Sequence, residues 1–185
     1  KGWNVNVLDN LSTGNEKILP RSVNLIVGDI RDKETLSKAA KDCSVVFHLA
    51  AAVGVKLIIE QPVHTIETNV HETEVVLKHA SKNKKLVFIA STSEVYGKST
   101  DVPFHEDSDV VLGPTIKHRW AYACSKLIDE FLALAYWKEK KLPVIIARLF
   151  NTVGPRQTGQ YGMVLPTFVK QALSNQPISV FGDGS

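Results

Sequence analysis

The chain has 185 residues, of which 44% are hydrophobic and 22% are charged, a composition typical of a globular protein with a sizeable core. The net charge of +3, without a basic stripe, argues against a nucleic-acid-binding surface. The two cysteines, Cys43 and Cys124, lack metal-ligand spacing, so we predict no metal site and reduced thiols in a cytoplasmic compartment. No apolar run reaches the length of a membrane span.

Short apolar segments alternate with helical patterns in the first half of the chain. Strands are predicted at WNVNVLD (3–9), VNLIVGD (23–29), SVVFHLA (44–50) and KLVFIAS (85–91), because these runs are short, apolar and bounded by turn residues. Residues 33–42 predict a short helix. A longer helix is predicted over 62–82, with proline at its start. Its apolar stripe consists of Val63, Ile66, Val70, Leu77 and Ala80.

The second half continues the alternation. A long helix is predicted over 120–140, with Leu127, Phe131, Leu134 and Ala135 on one side. A strand at 143–150, a helix at 163–175 and a last strand at ISVFGD (178–183) follow. Alternating strands and helices indicate an α/β fold with a doubly wound, Rossmann-type parallel sheet. We expect a cofactor-binding domain at 1–150 and the start of a smaller substrate-binding region at 151–185.

The beginning of the chain predicts an incomplete nucleotide-binding sheet. Such a sheet normally opens with a strand, a glycine-rich turn and a helix that receives a pyrophosphate. Here the first residues read as the end of that helix, followed directly by a second strand. Asp9 would then stand where an acidic residue contacts a ribose, although turns also favour aspartate. We therefore expect a fragment that lacks the first strand and the glycine loop.

The segment RWAYACSK (119–126) places a tyrosine and a lysine one helical turn apart. Tyr122 and Lys126 would project from the same face, and a nearby ammonium would lower the pKa of the phenol from its ordinary value of about 10. A phenol shifted in this way could exchange protons with a sugar hydroxyl. The alternative is a buried ring beside a solvated amine, without a catalytic role.

Polar side chains follow two of the predicted strands. IASTSEVYG (89–97) runs into Thr92, Ser93 and Glu94, and RLFNTVGPRQ (148–157) breaks at Asn151. Ligands of open α/β sheets bind at the carboxyl ends of the strands. Thr92 could therefore bond the hydroxyl that Tyr122 deprotonates, and Glu94 could act as an acid, a base or an electrostatic partner. The alternative is an ordinary strand end capped in a turn.

Together, STSEVYG, YACSK and RLFNTVGPR resemble the extended short-chain dehydrogenase/reductase family of NAD-dependent nucleotide-sugar epimerases, dehydratases and decarboxylases. VLDNLSTG, GDIRD, VFHLAA, TNV and SVFGDG also follow in the expected order, so the resemblance covers essentially the whole chain. It implies Tyr122 as the base, with Lys126, Thr92, Ser93 and Glu94 beside it. The implied NAD contacts are Asp9, Asn10, Asp29, Ile30, Leu49, Ala50, Ala51, Asn69, Tyr122 and Lys126. The implied substrate contacts are Thr92, Asn151, Arg156 and Phe181.

The residues after Thr92 bear on the reaction. TSE resembles the UDP-glucuronate decarboxylases of the UDP-xylose synthase type, whereas dehydratases resemble TDE and simple 4-epimerases carry small residues. The resemblance thus implies decarboxylation of a UDP-linked uronic acid through a 4-keto intermediate. The alternatives are a UDP-sugar 4-epimerase and a catalytically inactive NAD-binding scaffold. The family also implies a homodimer through helices 62–82 and 120–140. The charge and hydropathy of the sequence indicate no nucleic-acid partner and no membrane partner for this fragment.

Overall fold

The computed structural model describes residues 2–157, 163–180 and 182. Its strands are β1 (Asn6–Asp9), β2 (Asn24–Val27), β3 (Val45–His48), β4 (Leu86–Thr92) and β5 (Val144–Leu149). Its α-helices are α1 (Lys33–Ala39), α2 (Val55–Glu60), α3 (Pro62–Lys82), α4 (Arg119–Lys140) and α5 (Val164–Leu173). Two 3₁₀ helices, Glu16–Ile18 and Ser93–Tyr96, complete the described elements.

All of the described strand pairs are parallel. β1 pairs with β2, from Asn6 opposite Asn24 to Asp9 opposite Val27. β3, β4 and β5 form a second sheet in that order. Consecutive strands of that sheet are joined through helices, which is the connection that parallel strands require. The predicted α/β class with parallel sheets is confirmed, and the predicted helix over 62–82 has the same limits as α3.

The sequence-based prediction of the remaining elements is partly wrong. Residues 176–180 have no regular secondary structure, so the predicted last strand is not found in its described part. α2 was not predicted, because its six residues (VKLIIE) lie between Gly54 and Gln61 and are too few to show a helical period. Phe181, which we expected to contact the substrate, lies outside the described residues.

The hydrophobic core lies between β4 and the helix pair α3–α4. Along β4 the burial alternates, so that Val87, Ile89 and Ser91 point inward, as the two-residue period of a strand requires. Val87 and Ile89 pack against Leu77 of α3 and Ala133 of α4. Each fully buried aliphatic side chain of this kind contributes about 1.5–3 kcal/mol relative to an exposed one.

The opposite side of β3 and β5 is open. Phe47 of β3 and Ile145 of β5 are 66% and 49% exposed, respectively, and Phe47 contacts the Phe88 ring at a centroid distance of 5.4 Å. The helices that contact β4 cover one face of this sheet. Within the described residues, no helix has the length and apolar character that crossing a membrane requires.

Candidate active site

The end of β4 brings two of the predicted catalytic side chains together. Thr92 is the last residue of β4 and caps the 3₁₀ helix Ser93–Tyr96, where its hydroxyl accepts a hydrogen bond from the Glu94 N–H at 3.3 Å. The same side chain faces the Tyr122 phenol and favours its ionised form. The end of β4 and the start of α4 therefore place the Thr92 hydroxyl and the Tyr122 phenol next to each other.

Tyr122 lies in the first turn of α4 and is half-buried. Burial, together with the carboxylates of Glu94 and Asp129, raises the pKa of its phenol to about 12, and the Thr92 hydroxyl acts in the opposite direction. Negative neighbours disfavour a second negative charge. In this structure the phenol is therefore protonated at neutral pH.

The expected lowering of the Tyr122 pKa by Lys126 is wrong for this structure. The Lys126 ammonium donates to Asp129 Oδ2 at 2.8 Å, and the two side chains are 3% and 0% exposed. The Asp129 carboxylate neutralises much of the Lys126 charge, so that this charge has little effect on the Tyr122 phenol. The i,i+4 spacing fixes the helix face that two residues share, but it does not fix where a flexible four-carbon side chain places its charge.

Glu94 stands beside this pair with an altered acidity. Burial raises the pKa of its carboxyl group, and the Arg119 cation at the start of α4 opposes that shift. A carboxyl group with a raised pKa can hold or release a proton closer to neutral pH. Ser93, between Thr92 and Glu94, is half-buried in the first turn of the 3₁₀ helix.

Asn69 supports the site from behind. Its side chain is 1% exposed, and its Oδ1 accepts from the Ala52 N–H at 2.7 Å while its Nδ2 donates to Ser125 Oγ at 3.0 Å. These bonds tie the loop after β3 to helices α3 and α4. Because Asn69 is enclosed, it is suited to holding this loop in place, and its contact with NAD stays a prediction.

The residues around the ends of β1 and β3 fit a dinucleotide cofactor. Asp9 Oδ1 accepts from the Leu11 N–H at 2.7 Å, and a Cβ at Gly14 would come within 3.0 Å of the Asp9 carboxylate. The tight turn thus holds a half-buried carboxylate that can accept hydrogen bonds from ribose hydroxyls. Asn10 Oδ1 accepts from the Ser12 N–H at 3.0 Å and stabilises the same turn.

The loop after β3 adds a small-residue surface. Leu49 is 62% exposed, Ala50 is exposed and Ala51 is half-buried. Short side chains leave the backbone accessible, which close contact with a flat nicotinamide or a ribose requires. The NAD contacts expected at these three residues stay predictions.

Asp29 and Ile30, which we expected to contact NAD, already contact other residues of the protein. Asp29 accepts from the Arg31 backbone N–H and from its Nε, both at 2.8 Å, and these bonds lower the pKa of its carboxyl group. Ile30 packs against the hydrophobic core. An adenine base stacked here would contact the backbone of residues 29–30 and the ion pair between Asp29 and Arg31.

Of the predicted substrate residues, Thr92 lies beside Tyr122, whereas Asn151 and Arg156 lie in the loop after β5. Asn151 is exposed in the loop after β5. Arg156 donates from Nη1 to the Ile18 carbonyl at 2.9 Å, which ties it to the 3₁₀ helix after β1. Its substrate contact stays a prediction, as does that of Asn151.

Four residues of the site were missed by the sequence analysis: His48, Thr73, Arg119 and Asp129. His48 stands in the quoted motif VFHLAA and Arg119 opens RWAYACSK, but neither was given a role. For Asp129 a signal exists, because Asp at i+3 from Lys126 can reach the same ammonium. The burial of both partners could not be predicted from that spacing.

Comparison with known proteins agrees with this geometry. The chain matches the sequence model of the NAD dependent epimerase/dehydratase family over residues 1–185. It is 43% identical to the UDP-N-acetyl-alpha-D-glucosaminuronate decarboxylase of Bacillus cytotoxicus, covering 100% of this chain and 58% of that protein. It is 30% identical to UDP-glucuronic acid decarboxylase 1 of Danio rerio, covering 100% and 44%, respectively.

A solved structure extends the comparison. The UDP-N-acetylglucosamine 4-epimerase from Methanobrevibacter ruminantium, in complex with UDP-N-acetylmuramic acid, superposes with a TM-score of 0.88 at 28% identity. The match covers 98% of this chain and 58% of that one. The chain thus spans between 44% and 58% of the length of these three proteins. The predicted resemblance to the extended short-chain type, and NAD as the cofactor of the family, are confirmed.

Proposed function

The chain belongs to the NAD dependent epimerase/dehydratase family, and we propose that the whole protein decarboxylates a UDP-linked uronic acid through a 4-keto intermediate. The observation that carries this proposal is the cluster at the end of β4, where the Thr92 hydroxyl and the Glu94 carboxylate both lie close enough to the Tyr122 phenol to act on its pKa. The 43% identical decarboxylase from Bacillus cytotoxicus supports the same reaction class.

The chemistry follows from the side chains of this cluster. In its ionised, phenolate form Tyr122 accepts the proton of the sugar 4-hydroxyl, and Thr92 orients that hydroxyl by hydrogen bonding. NAD, when bound, supplies the acceptor for the hydride that leaves C4. The 4-keto sugar with a carboxylate on C5 is a β-keto acid, which loses CO2 because the resulting enolate is delocalised.

Glu94 distinguishes this reaction from its neighbours. The enolate needs a proton on C5 after CO2 has left, and the raised pKa of Glu94 suits it to deliver one. Ser93 replaces the aspartate that a dehydratase would use to protonate a leaving hydroxyl. Dehydration is therefore the least favoured reaction of the three.

The second candidate is UDP-sugar 4-epimerisation. It is supported by the solved 4-epimerase with a TM-score of 0.88. Epimerisation would use the same Tyr122 and Thr92 but would return the hydride to the other face of C4, without need of Glu94. The two reactions therefore diverge at a single side chain.

The test uses intact protein with two substrates, UDP-glucuronate and UDP-N-acetylglucosaminuronate. Release of CO2 and the absorbance of reduced nicotinamide are followed together. We expect CO2 release with one or both sugars, a loss of turnover of about a hundredfold or more in Tyr122→Phe, and unchanged cofactor binding in that variant. Near-normal turnover in Tyr122→Phe would remove the tyrosine from its role.

Glu94→Gln separates the candidates. In a decarboxylase this variant should still form the 4-keto sugar but release CO2 at least tenfold more slowly, whereas an epimerase should keep its rate. If no sugar produces CO2, an epimer or reduced nicotinamide, the protein is a scaffold that retains the fold without the chemistry.

We also propose that the protein works in the cytoplasm as a homodimer. Free thiols at Cys43 and Cys124 support a reducing compartment. The outer faces of α3 and α4 carry exposed apolar side chains at helical spacing, which supports association through these two helices. The nucleotide sugar is proposed as its substrate partner, with a C-terminal region from residue 151 contributing to binding.

A further inference from the structure

Lys126 and Asp129 form an ion pair inside the protein. The ammonium lies 2.8 Å from Asp129 Oδ2, and the side chains are 3% and 0% exposed. Removing two charges from water costs several kcal/mol per ion, which their attraction offsets only when the geometry is good. This ion pair bears on catalysis, because Lys126 lies one helical turn from Tyr122, the proposed base.

Asp129 is also faced by groups from two other elements. From α3, the Thr73 hydroxyl acts on its carboxylate and contacts His48 Nε2 of β3 at 3.0 Å. With a proton on Nε2, His48 donates to Thr73, and the Thr73 hydroxyl favours the charged form of Asp129. The charged groups that bear on Asp129 are therefore Lys126 and Glu130 of its own helix, with His48 reached through Thr73.

The ion pair engages only one of the two carboxylate oxygens of Asp129. Oδ1 is buried and has no hydrogen-bond partner in the part of the chain that the structure describes. A carboxylate oxygen in this state projects its charge onto its neighbours with little screening. Tyr122 is one of these neighbours, since Asp129 is among the groups that disfavour its phenolate.

We propose that Asp129 is a positioning residue of the active site, whose buried carboxylate holds the Lys126 ammonium on the inner side of α4 and offsets the lysine charge at the Tyr122 phenol. The inference rests on the proposed function, since it assigns Asp129 a role in the tyrosine-dependent step. Tyr122, Lys126 and Asp129 then act together. The aspartate sets how much of the lysine charge reaches the phenol.

The test is Asp129→Asn in the full-length protein, a change that removes the charge and keeps the shape. The ionisation of Tyr122 is read from ultraviolet titration as the difference between each protein and the same protein carrying Tyr122→Phe. We expect the ionisation constant of Tyr122 to rise about tenfold, which is one pKa unit. The acid limb of the kcat/KM profile should move to lower pH by a similar amount.

Glu130→Gln is the matched control. Glu130 is the next residue of α4, is 7% exposed and pairs with Arg148 at 2.8 Å, but it is not among the groups that act on Tyr122. Its variant should lose stability without changing the ionisation of Tyr122. An equal effect of both variants would mean that general loosening of α4, and not the Asp129 charge, controls the phenol.

If Asp129→Asn does not fold, the double variant Lys126→Met/Asp129→Leu replaces the pair with apolar side chains of similar volume, which buried pairs often tolerate. Tyr122 should again ionise more readily than in the wild type, by less than tenfold, because both charges are gone. An unchanged Tyr122 titration in a folded variant overturns the inference. That outcome does not contradict the proposed function, which is judged by CO2 release in the wild type. Conversely, a shifted Tyr122 titration in a protein without turnover refutes only the proposed function.

Discussion

At the scale of single residues, the site depends on buried polar side chains, most of which are hydrogen-bonded to one another. Asn69 and Ser125 bond each other at 3.0 Å, and His48 bonds Thr73 at the same distance. Buried polar groups are tolerated when they are paired. The sequence identified Tyr122, Lys126 and Thr92 by their motif, but it could not show Asp129, because nothing in KLID distinguishes a solvated aspartate from an enclosed one.

His48 should make stability depend on pH. Burial, together with the Lys126 charge, lowers the pKa of its imidazole to about 4. The ordinary value is about 6.5, so on acidification the unfolded chain binds this proton first. The contribution of His48 to stability is therefore complete above about pH 6.5 and is lost as the pH falls to about 4, a loss of roughly 3 kcal/mol.

Urea unfolding of intact wild type and His48→Gln at pH 7 and pH 4 measures this contribution. The free energy of unfolding of the wild type should fall more than that of His48→Gln, by about 3 kcal/mol. Acidic groups with a lowered pKa, such as Asp29 and Asp32, act equally in both proteins and cancel. His71→Gln, which changes an exposed histidine, should behave as the wild type. Parallel curves for His48→Gln and wild type would contradict the assignment.

At the scale of elements, the sequence predicted which segments form helices better than which face each helix buries. The apolar stripe of α3 was read from Val63, Ile66 and Leu77, yet Val63 and Ile66 are 66% and 42% exposed. The inner face of α3 instead buries Thr65, Asn69, Glu72 and Thr73 beside Val76, Leu77 and Ala80. Periodicity reports where apolar residues cluster, and here a polar support network occupies much of the inner face.

The start of α4 depends on close packing with the preceding loop. A Cβ at Gly113 would lie 2.0 Å from Trp120 Nε1, too close for any real contact. Gly113→Ala should therefore displace the Trp120 ring or the loop, at a cost of about 1–3 kcal/mol in the free energy of unfolding. Because Tyr122 follows two residues later, turnover should fall as well.

Gly154→Ala provides the comparison, since a Cβ there meets nothing within 4 Å. Its free energy of unfolding should change by less than about 0.5 kcal/mol. Denaturant unfolding and turnover of the two variants, measured side by side, check the prediction. Equal stabilities for Gly113→Ala and Gly154→Ala would show that the Trp120 ring moves aside without cost.

At the scale of the whole molecule, the outward faces of two neighbouring helices carry large apolar side chains. The set on α3 and α4 consists of Val63, Ile66, Ile128, Phe131, Leu134 and Trp137, all at least 42% exposed. Exposed apolar patches of this kind are rare on monomers and mark interaction surfaces. The helices 62–82 and 120–140 could be named from sequence as interface candidates, but the orientation of Phe131 and Leu134 away from the core needed the fold.

A homodimer through this surface should fail when its centre becomes charged. Phe131 is 69% and Leu134 49% exposed, so Phe131→Glu/Leu134→Glu should cost the folded monomer little. In a dimer, the same change would bury four carboxylates at the interface, where unpaired charges are strongly disfavoured. Light scattering after size-exclusion chromatography should give a dimeric mass for the intact wild type and a monomeric mass for the variant. Leu173→Glu, which charges an 84% exposed leucine on α5, should remain dimeric. A dimer that survives Phe131→Glu/Leu134→Glu would place the interface on another face, and a monomeric wild type would refute the association itself.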